Sequence, residues 1–241
     1  MSMQLLKSYP QFLVISIEVI KLRYFLYLLF FILGACIISF LKVIAYDYPQ
    51  ISLTRRSHCD YCGRILRWFE IIPIIGYFIV HGRCSTCKNQ LSFLYPFWEF
   101  IGGTFLVTLL YWQDLNYLPF FMMLIILSFS DYYYGYIYPI FYLIALPTIF
   151  LNHSSLHLLV GISIYLLLRL LNYFYLLGLG DIEVLAIIGF LLGLSIFLKV
   201  LLLACLFCIG IFLINKKRSF RFIPYITIAT GIIYLISHFI V

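Results

Sequence analysis

Gly178-Leu179-Gly180-Asp181-Ile182-Glu183-Val184-Leu185-Ala186-Ile187-Ile188-Gly189-Phe190-Leu191-Leu192-Gly193-Leu194-Ser195-Ile196 is an apolar run that opens on a carboxylate. A carboxylate at the edge of a membrane segment is expensive and is kept for a purpose. The glycines on either side of Leu179 let the chain turn sharply and approach another backbone without side-chain obstruction. A second aspartate, Asp131, stands near the end of the apolar run 118–135, in a chain with only nine acidic residues.

Composition sets the solvent in which these residues work. Of 241 residues, 65% are hydrophobic and 10% are charged, which excludes a soluble globule and predicts an all-α, polytopic membrane protein. Apolar runs near 24–46, 94–113, 118–135, 137–151, 156–177, 182–196, 198–215 and 223–240 predict about eight transmembrane helices. The third and fourth could be one bent unit broken between Gly135 and Pro139, which would make the count seven. The chain divides into an N-terminal extension (1–23), a first helix (24–46), a polar loop domain (47–93) and a helical membrane core (94–241). Residues 11–20 are too short to span, carry Glu18 and precede no small-residue cleavage site, so an interfacial stretch is expected there and not a cleaved signal peptide. No internal repeat is visible.

Basic residues orient the helices. Arg55, Arg56, Arg64, Arg67, Arg83 and Lys88 lie between the first two runs, and Lys216, Lys217, Arg218 and Arg221 lie before the last. Six runs separate the two groups, so they share a side, and ten basic residues there against four (Lys7, Lys21, Arg23, Lys199) predict that it is cytoplasmic, with both termini outside. The net charge of +7 then reads as topology and contact with anionic lipid, with no nucleic-acid partner expected. Arg169 lies inside the fifth run, where it either snorkels to the interface or pairs with a carboxylate.

The polar loop holds Cys59-Asp60-Tyr61-Cys62 and Cys84-Ser85-Thr86-Cys87. Two such pairs offer four thiolates to one tetrahedral ion, as in a zinc ribbon, with the two knuckles expected to be joined by a strand-like hairpin through Ile71 to Val80. A pair of disulfides is the competing reading, disfavoured in a reducing compartment. Four protein ligands close a zinc site, so the metal is expected to fold the loop and perform no chemistry. Cys205 and Cys208 repeat the spacing inside an apolar run and read as packing residues. His58 and His81 flank the cysteines as spare ligands at most.

Topology also bears on the aspartates. The third run descends to the cytoplasmic side and ends near Asp131, and the sixth rises from that side beginning at Asp181. Both carboxylates thus arrive at one face and similar depth. Two carboxylates held close in an apolar setting cannot both ionise, so the pair shares a proton. The ionised partner can take a proton from water while the protonated one polarises a peptide carbonyl. Separately, each aspartate could instead be a cap or an interfacial anchor. A proton- or ion-coupled transporter using the two as a relay, or a membrane scaffold without catalysis, are the readings from other classes.

The residues taken in order resemble the type IV prepilin peptidases, also called leader peptidase/N-methyltransferases. The resemblance runs through Ser39-Phe40-Leu41-Lys42-Val43-Ile44-Ala45-Tyr46, the two cysteine pairs with Ile72-Pro73 between them, Tyr95-Pro96-Phe97-Trp98-Glu99, and the G-x-G-D of Gly178 to Asp181. It implies a GxGD-type intramembrane aspartic protease in the bacterial plasma membrane, with Asp131 and Asp181 as the dyad and Gly178 and Gly180 supporting the catalytic turn. The implied substrates are prepilins or pseudopilins cut at the cytoplasmic face after a short basic leader. In many members the new N-terminus is then methylated from S-adenosylmethionine, and Glu70, Arg83 and Glu99 are the candidate residues here. A protease-only member is the alternative. Small Gram-positive members of this kind suggest DNA-uptake pseudopili. The chain departs from the family where Tyr138-Pro139-Ile140 shifts a proline and drops a polar residue, where Glu183 replaces a common lysine, and at Lys42 and Asp47.

Overall fold

In a hydrocarbon solvent the backbone must bond to itself, so apolar runs become helices. The structure, a computed structural model, describes residues 5–50, 56–59, 61–172, 178–215 and 221–240. Its α-helices are α1 Leu5–Asp47, α2 Trp68–Ile71, α3 Ile75–Ile79, α4 Leu94–Tyr111, α5 Leu118–Tyr134, α6 Leu146–Leu151, α7 Leu158–Leu171, α8 Leu179–Asn215 and α9 Ile223–Ile240. Among the described residues there is no strand, only the isolated bridges His58–Ile65 and Arg83–Gln90.

Three helical stretches are long and apolar enough to cross a membrane, namely Ile20–Asp47, Leu115–Tyr134 and Leu179–Ile214. Shorter apolar helices cover Pro139–Leu151, Leu158–Leu171 and Ile223–Phe239. The chain is thus an all-α membrane protein. The segment expected as a separate N-terminal extension is continuous with the first long helix, which starts at Leu5. The sixth and seventh runs, expected as separate helices over 182–196 and 198–215, are two helices that follow one another within Leu179–Asn215, and the break between them falls at the non-helical Gly193 (φ 80°, ψ 172°), ahead of the expected boundary. Glycine can take this backbone conformation without a Cβ penalty, and a Cβ there would stand 3.0 Å from the His157 ring.

The chain forms two compact units, one of residues 1–40 with 53–113 and the other of 41–52 with 114–241. In the first, α1 and α4 touch backbone to backbone. A Cβ on Gly34 would lie 2.5 Å from the Gly102 carbonyl oxygen, and one on Gly103 2.7 Å from the Phe31 ring. Small residues permit such contact in a bilayer, where packing replaces the hydrophobic effect as the force between helices. Phe31 and Phe100 close the contact edge to face, with centroids 5.7 Å apart.

The second unit is organised around α5. Phe120, Met123, Leu124, Ile126 and Leu127 of α5 are fully buried, as are Leu185 and Ile188 of α8 and Ile223 and Ile226 of α9. Polar pairings tie the helices at their inner faces: Phe120 N–H donates to Thr148 Oγ1 (3.1 Å), and Thr227 Oγ1 to the Leu124 carbonyl (3.2 Å). At the other end of α9, Tyr234 donates to Asp114 Oδ2 at 2.9 Å, and His238 Nε2 lies 3.0 Å from the same oxygen. Arg169 sits exposed in the last turn of α7, which ends at Leu171, so the residue read as lying inside a span lies near its helix end. Arg55, Lys216, Lys217 and Arg218 of the charge reading fall outside the described residues.

Candidate functional site

The four cysteines of the loop converge. Cys59 and Cys84 are buried, Cys62 and Cys87 are exposed, and all four thiols are free. Their sulfurs lie within 4.8 Å of one another, with Cys59 to Cys87 at 3.9 Å and Cys62 to Cys84 at 4.0 Å. Sulfurs at the corners of a tetrahedron with zinc bonds of about 2.3 Å stand roughly 3.8 Å apart, so this arrangement fits a four-coordinate ion and is far too open for disulfides. It is the one metal-competent cluster of His, Cys, Asp and Glu among the described residues.

Each pair sits on a backbone knuckle, and the two knuckles are the same structure 25 residues apart. Cys59 N–H donates to Arg64 O, Gly63 N–H to Cys59 O and Leu66 N–H to Ser57 O. The second knuckle repeats these bonds as Cys84 to Asn89, Lys88 to Cys84 and Leu91 to Gly82. Gly63 and Lys88 occupy matching left-handed positions with φ of 67° and 57°. The sequence predicts two knuckles but not that they match bond for bond, because only backbone geometry recurs while the side chains between the cysteines differ. The strand-like hairpin expected through Ile71 to Val80 is absent. Pro73 separates the short helices α2 and α3, Glu99 accepts a hydrogen bond from Ile74 N–H (2.7 Å), and Gly76 packs so tightly that a Cβ would lie 2.5 Å from the Glu70 carbonyl oxygen.

The knuckles are clasped by Glu70. Arg64 of the first donates to Glu70 Oε1 at 2.8 Å, Ser85 of the second donates to the same oxygen at 2.5 Å, and Arg67 N–H donates to Oε2 at 2.7 Å. Burial pushes the Glu70 carboxyl up, but the bonds from Ser85, Arg67 and Arg64 outweigh it and bring it down to about 2. Cys84 is drawn down to about 6 by the backbone N–H groups of Cys87 and Thr86, which suits a thiolate ligand. Of the three residues considered for methyl transfer, Glu70 holds the knuckles together, Glu99 holds Ile74, and Arg83 is exposed on the second knuckle.

Replacing Glu70 with Gln is expected to destabilise the cysteine loop by about 1–3 kcal/mol near neutral pH. A carboxyl held below its ordinary value contributes stability that is complete above that value, 4.5, and is lost as pH falls toward about 2. Thermal unfolding of wild type and Glu70→Gln should therefore differ most at neutral pH and converge in acid. A gap that persists unchanged to the lowest workable pH would argue that the carboxylate charge is irrelevant to the clasp.

The two aspartates lie in the other unit. Asp131 is 8% exposed in the last turn of α5, beside the fully buried Ser130. The helix stops one turn later because Gly135 adopts φ 65° and returns its N–H to the Asp131 carbonyl at 2.8 Å. Asp181 occupies the first turn of α8, and its carboxylate accepts from the Gly178 backbone N–H. Gly180 presses on the segment that follows Asp131, for a Cβ on it would fall 2.0 Å from Ile137 Cδ1. The glycine turn and the end of α5 are therefore in direct contact, and the two carboxylates come close enough for their charges to interact. Asp131 also faces the Arg221 guanidinium and the Ile223 backbone N–H, while Asp131 Oδ2 is buried and, among the described residues, has no hydrogen-bond partner. Arg221 had signalled only topology in the sequence, since nothing in its local pattern points toward an aspartate 90 residues earlier.

Residues 32–113 match the family model of the bacterial peptidase A24 N-terminal domain. The chain is 37% identical over 75 residues to a prepilin leader peptidase/N-methyltransferase of Myxococcus xanthus, an alignment covering 30% of this chain and 22% of that relative. It is 26% identical over 114 residues to the protein of that name from Vibrio cholerae, covering 43% of this chain and 44% of the relative. With the Pseudomonas putida protein of that name it shares 30% identity over 107 residues, 34% of this chain and 36% of the relative. The alignments thus span less than half the length of these relatives. No solved structure matches the chain.

Proposed function

From the support that the A24 domain match and these relatives lend to the type IV prepilin peptidase family, we propose that the chain is a membrane-embedded aspartic endopeptidase that removes the leader of prepilins or pseudopilins. The observation that carries the reading is the meeting of Asp131 and Asp181 at adjoining helix ends, brought about by Gly180 seated on Ile137. One carboxylate is ionised and the other holds the shared proton. The ionised one takes a proton from water, whose oxygen bonds to the carbonyl carbon of the scissile peptide, while the other gives its proton to the carbonyl oxygen. As the tetrahedral intermediate collapses, the C–N bond breaks, the nitrogen receives the proton taken from water, and the carbonyl oxygen returns the second proton to its carboxylate.

Helix ends, and not helix centres, hold these groups, which fits a reaction that consumes water. The orientation implied by the basic loops puts the site and the cysteine loop at the cytoplasmic face of the plasma membrane. Four cysteines would hold zinc as a structural ion that folds the loop. Methylation of the new N-terminus from S-adenosylmethionine belongs to the same proposal, assigned to the cysteine-loop unit, with Glu70, Arg83 and Glu99 as its candidates and Glu70 acting through the clasp.

Co-expression with a prepilin-like substrate tests the proposal. The expected product starts just after the leader glycine and carries one added methyl group by mass spectrometry. An unprocessed substrate would overturn the peptidase reading, and a processed but unmethylated one would leave a protease alone. Gly180→Ala is expected to slow processing on the order of tenfold or more, because displacing Ile137 shifts the glycine turn relative to Asp131. Adding Ile137→Ala in the same chain should recover part of the loss, and a double variant no better than the single one would discount the contact.

A further inference from the structure

The cysteine loop carries large apolar side chains on its outside. Its two short helices adjoin where Gly76 of α3 seats on the Glu70 carbonyl of α2, and each turns one side chain to the knuckles. On α2 this is Glu70, which receives Ser85 and Arg64; on α3 it is Tyr77, whose hydroxyl lies against Gly82 and donates to the Leu91 carbonyl at 3.5 Å. The helical repeat then sets Trp68 beside Ile71 on α2, and Ile75 beside Phe78 and Ile79 on α3. All five are exposed, Trp68 by 78% and Phe78 by 59%. A domain surrounded by water keeps such residues inside, and a group of them outside marks a surface with an apolar partner.

Two observations identify that partner as lipid. The first is where the helices are fastened. Ile74, between α2 and α3, gives its N–H to Glu99 in the second turn of α4, and the Tyr77 ring meets Phe93 at the start of α4 with centroids 6.0 Å apart. α4 packs backbone to backbone on α1, whose stretch Ile20–Asp47 is long and apolar enough to cross a membrane. Phe93, Leu94 and Phe97 are exposed at this end of α4, so the apolar residues of α3 adjoin the outer apolar surface of a membrane helix pair. The second observation is charge. Residues 53–93 hold six basic residues against two acidic ones, and Glu70 of the acidic two is already engaged by Arg64 and Ser85. Arg56, Arg67, Arg83 and Lys88 are exposed, with Arg67 immediately before Trp68. Apolar residues that include a tryptophan, accompanied by arginine and lysine, suit the boundary of an anionic leaflet.

We propose that α2 and α3 form an interfacial foot, in which Trp68, Ile71, Ile75, Phe78 and Ile79 seat in the headgroup boundary of an anionic bilayer while Arg67 and the other exposed cations meet lipid phosphates. The cysteine loop then lies against the membrane surface and does not stand out in water. This assignment depends on the fold of the loop and is independent of the aspartate chemistry.

The test places the full chain in vesicles of phosphatidylglycerol and phosphatidylcholine, the latter either plain or brominated at a shallow acyl position. Trp98 and Trp112 remain in Trp68→Phe, so wild type minus this variant gives the emission of Trp68 alone. A ring seated about 5–10 Å into the boundary is within reach of the bromine, so this emission should fall roughly twofold or more in brominated vesicles and resist acrylamide in the water. Ile75→Glu combined with Phe78→Glu alters only exposed side chains and should reverse both readings. Omitting phosphatidylglycerol or adding salt should weaken the bromine effect. Wild-type Trp68 that acrylamide quenches and bromine does not would place the helices in water and overturn the proposal. Resistance to both quenchers would overturn it too, because a protein surface, whether a second copy or another part of the chain, would then cover the face. Equal bromine quenching with and without phosphatidylglycerol would overturn the part assigned to the cations.

Discussion

Asp131→Asn and Asp181→Asn should each reduce leader removal by about a thousandfold or more, leaving only full-length prepilin in co-expressing cells. Asparagine preserves volume and hydrogen-bonding capacity while removing the ability to exchange a proton, so it separates chemistry from architecture. The distinction matters most for Asp181, which lies in the first turn of α8 and accepts from the Gly178 N–H. A residue kept only to satisfy that donor is well replaced by Asn, which serves as well as Asp at helix starts. If Asp181 were a cap or an anchor, Asp181→Asn would process normally. For Asp131, Asn can still accept from the Ile223 N–H, but it cannot take a proton from water. Retained zinc and an unchanged elution volume would establish that the variants are folded. Undiminished processing in either variant would remove that residue from the reaction and return the transporter reading to consideration.

The second large effect is expected at the cysteines. Purified protein should contain one zinc per chain, and Cys59→Ser or Cys84→Ser should abolish it and expose the loop to protease. Structural zinc binding is worth about 10–16 kcal/mol in small zinc-finger peptides, far more than a loop with so little apolar core can replace. The two substitutions should be harsher than Cys62→Ser or Cys87→Ser, because Cys59 and Cys84 are 5% and 4% exposed while their partners are open to solvent. Serine would bury a hydroxyl in place of a thiolate in those two positions without restoring a ligand. A metal-free protein carrying two disulfides would refute the site.

Much of this molecule is legible before any coordinates. Long apolar runs can satisfy their backbones in a membrane only as helices, which is why α4, α5, α9 and the membrane-crossing stretch Ile20–Asp47 of α1 appear close to where the sequence places them. Two C-x-x-C pairs announce a tetrahedral site because two thiols two residues apart suit one edge of it. The glycine-flanked Asp181 stands out because so few acidic residues occur in the chain.

What the sequence could not decide involves groups far apart along the chain. Glu99 reaches the Ile74 N–H and Glu70 joins Arg64 to Ser85, so the expected hairpin gives way to two short helices and a clasp. The break between the sixth and seventh helices falls at Gly193, ahead of the boundary that the apolar runs suggest. By itself the sequence determined the apolar solvent, the helical class and the four cysteines that converge, and it singled out the two aspartates, because each follows from residue type and short-range spacing. Only the tertiary structure decided that Gly180 seats on Ile137, that Asp131 and Asp181 differ in their neighbours, and that the knuckles repeat, because those depend on which surfaces pack together and no residue type encodes that alone.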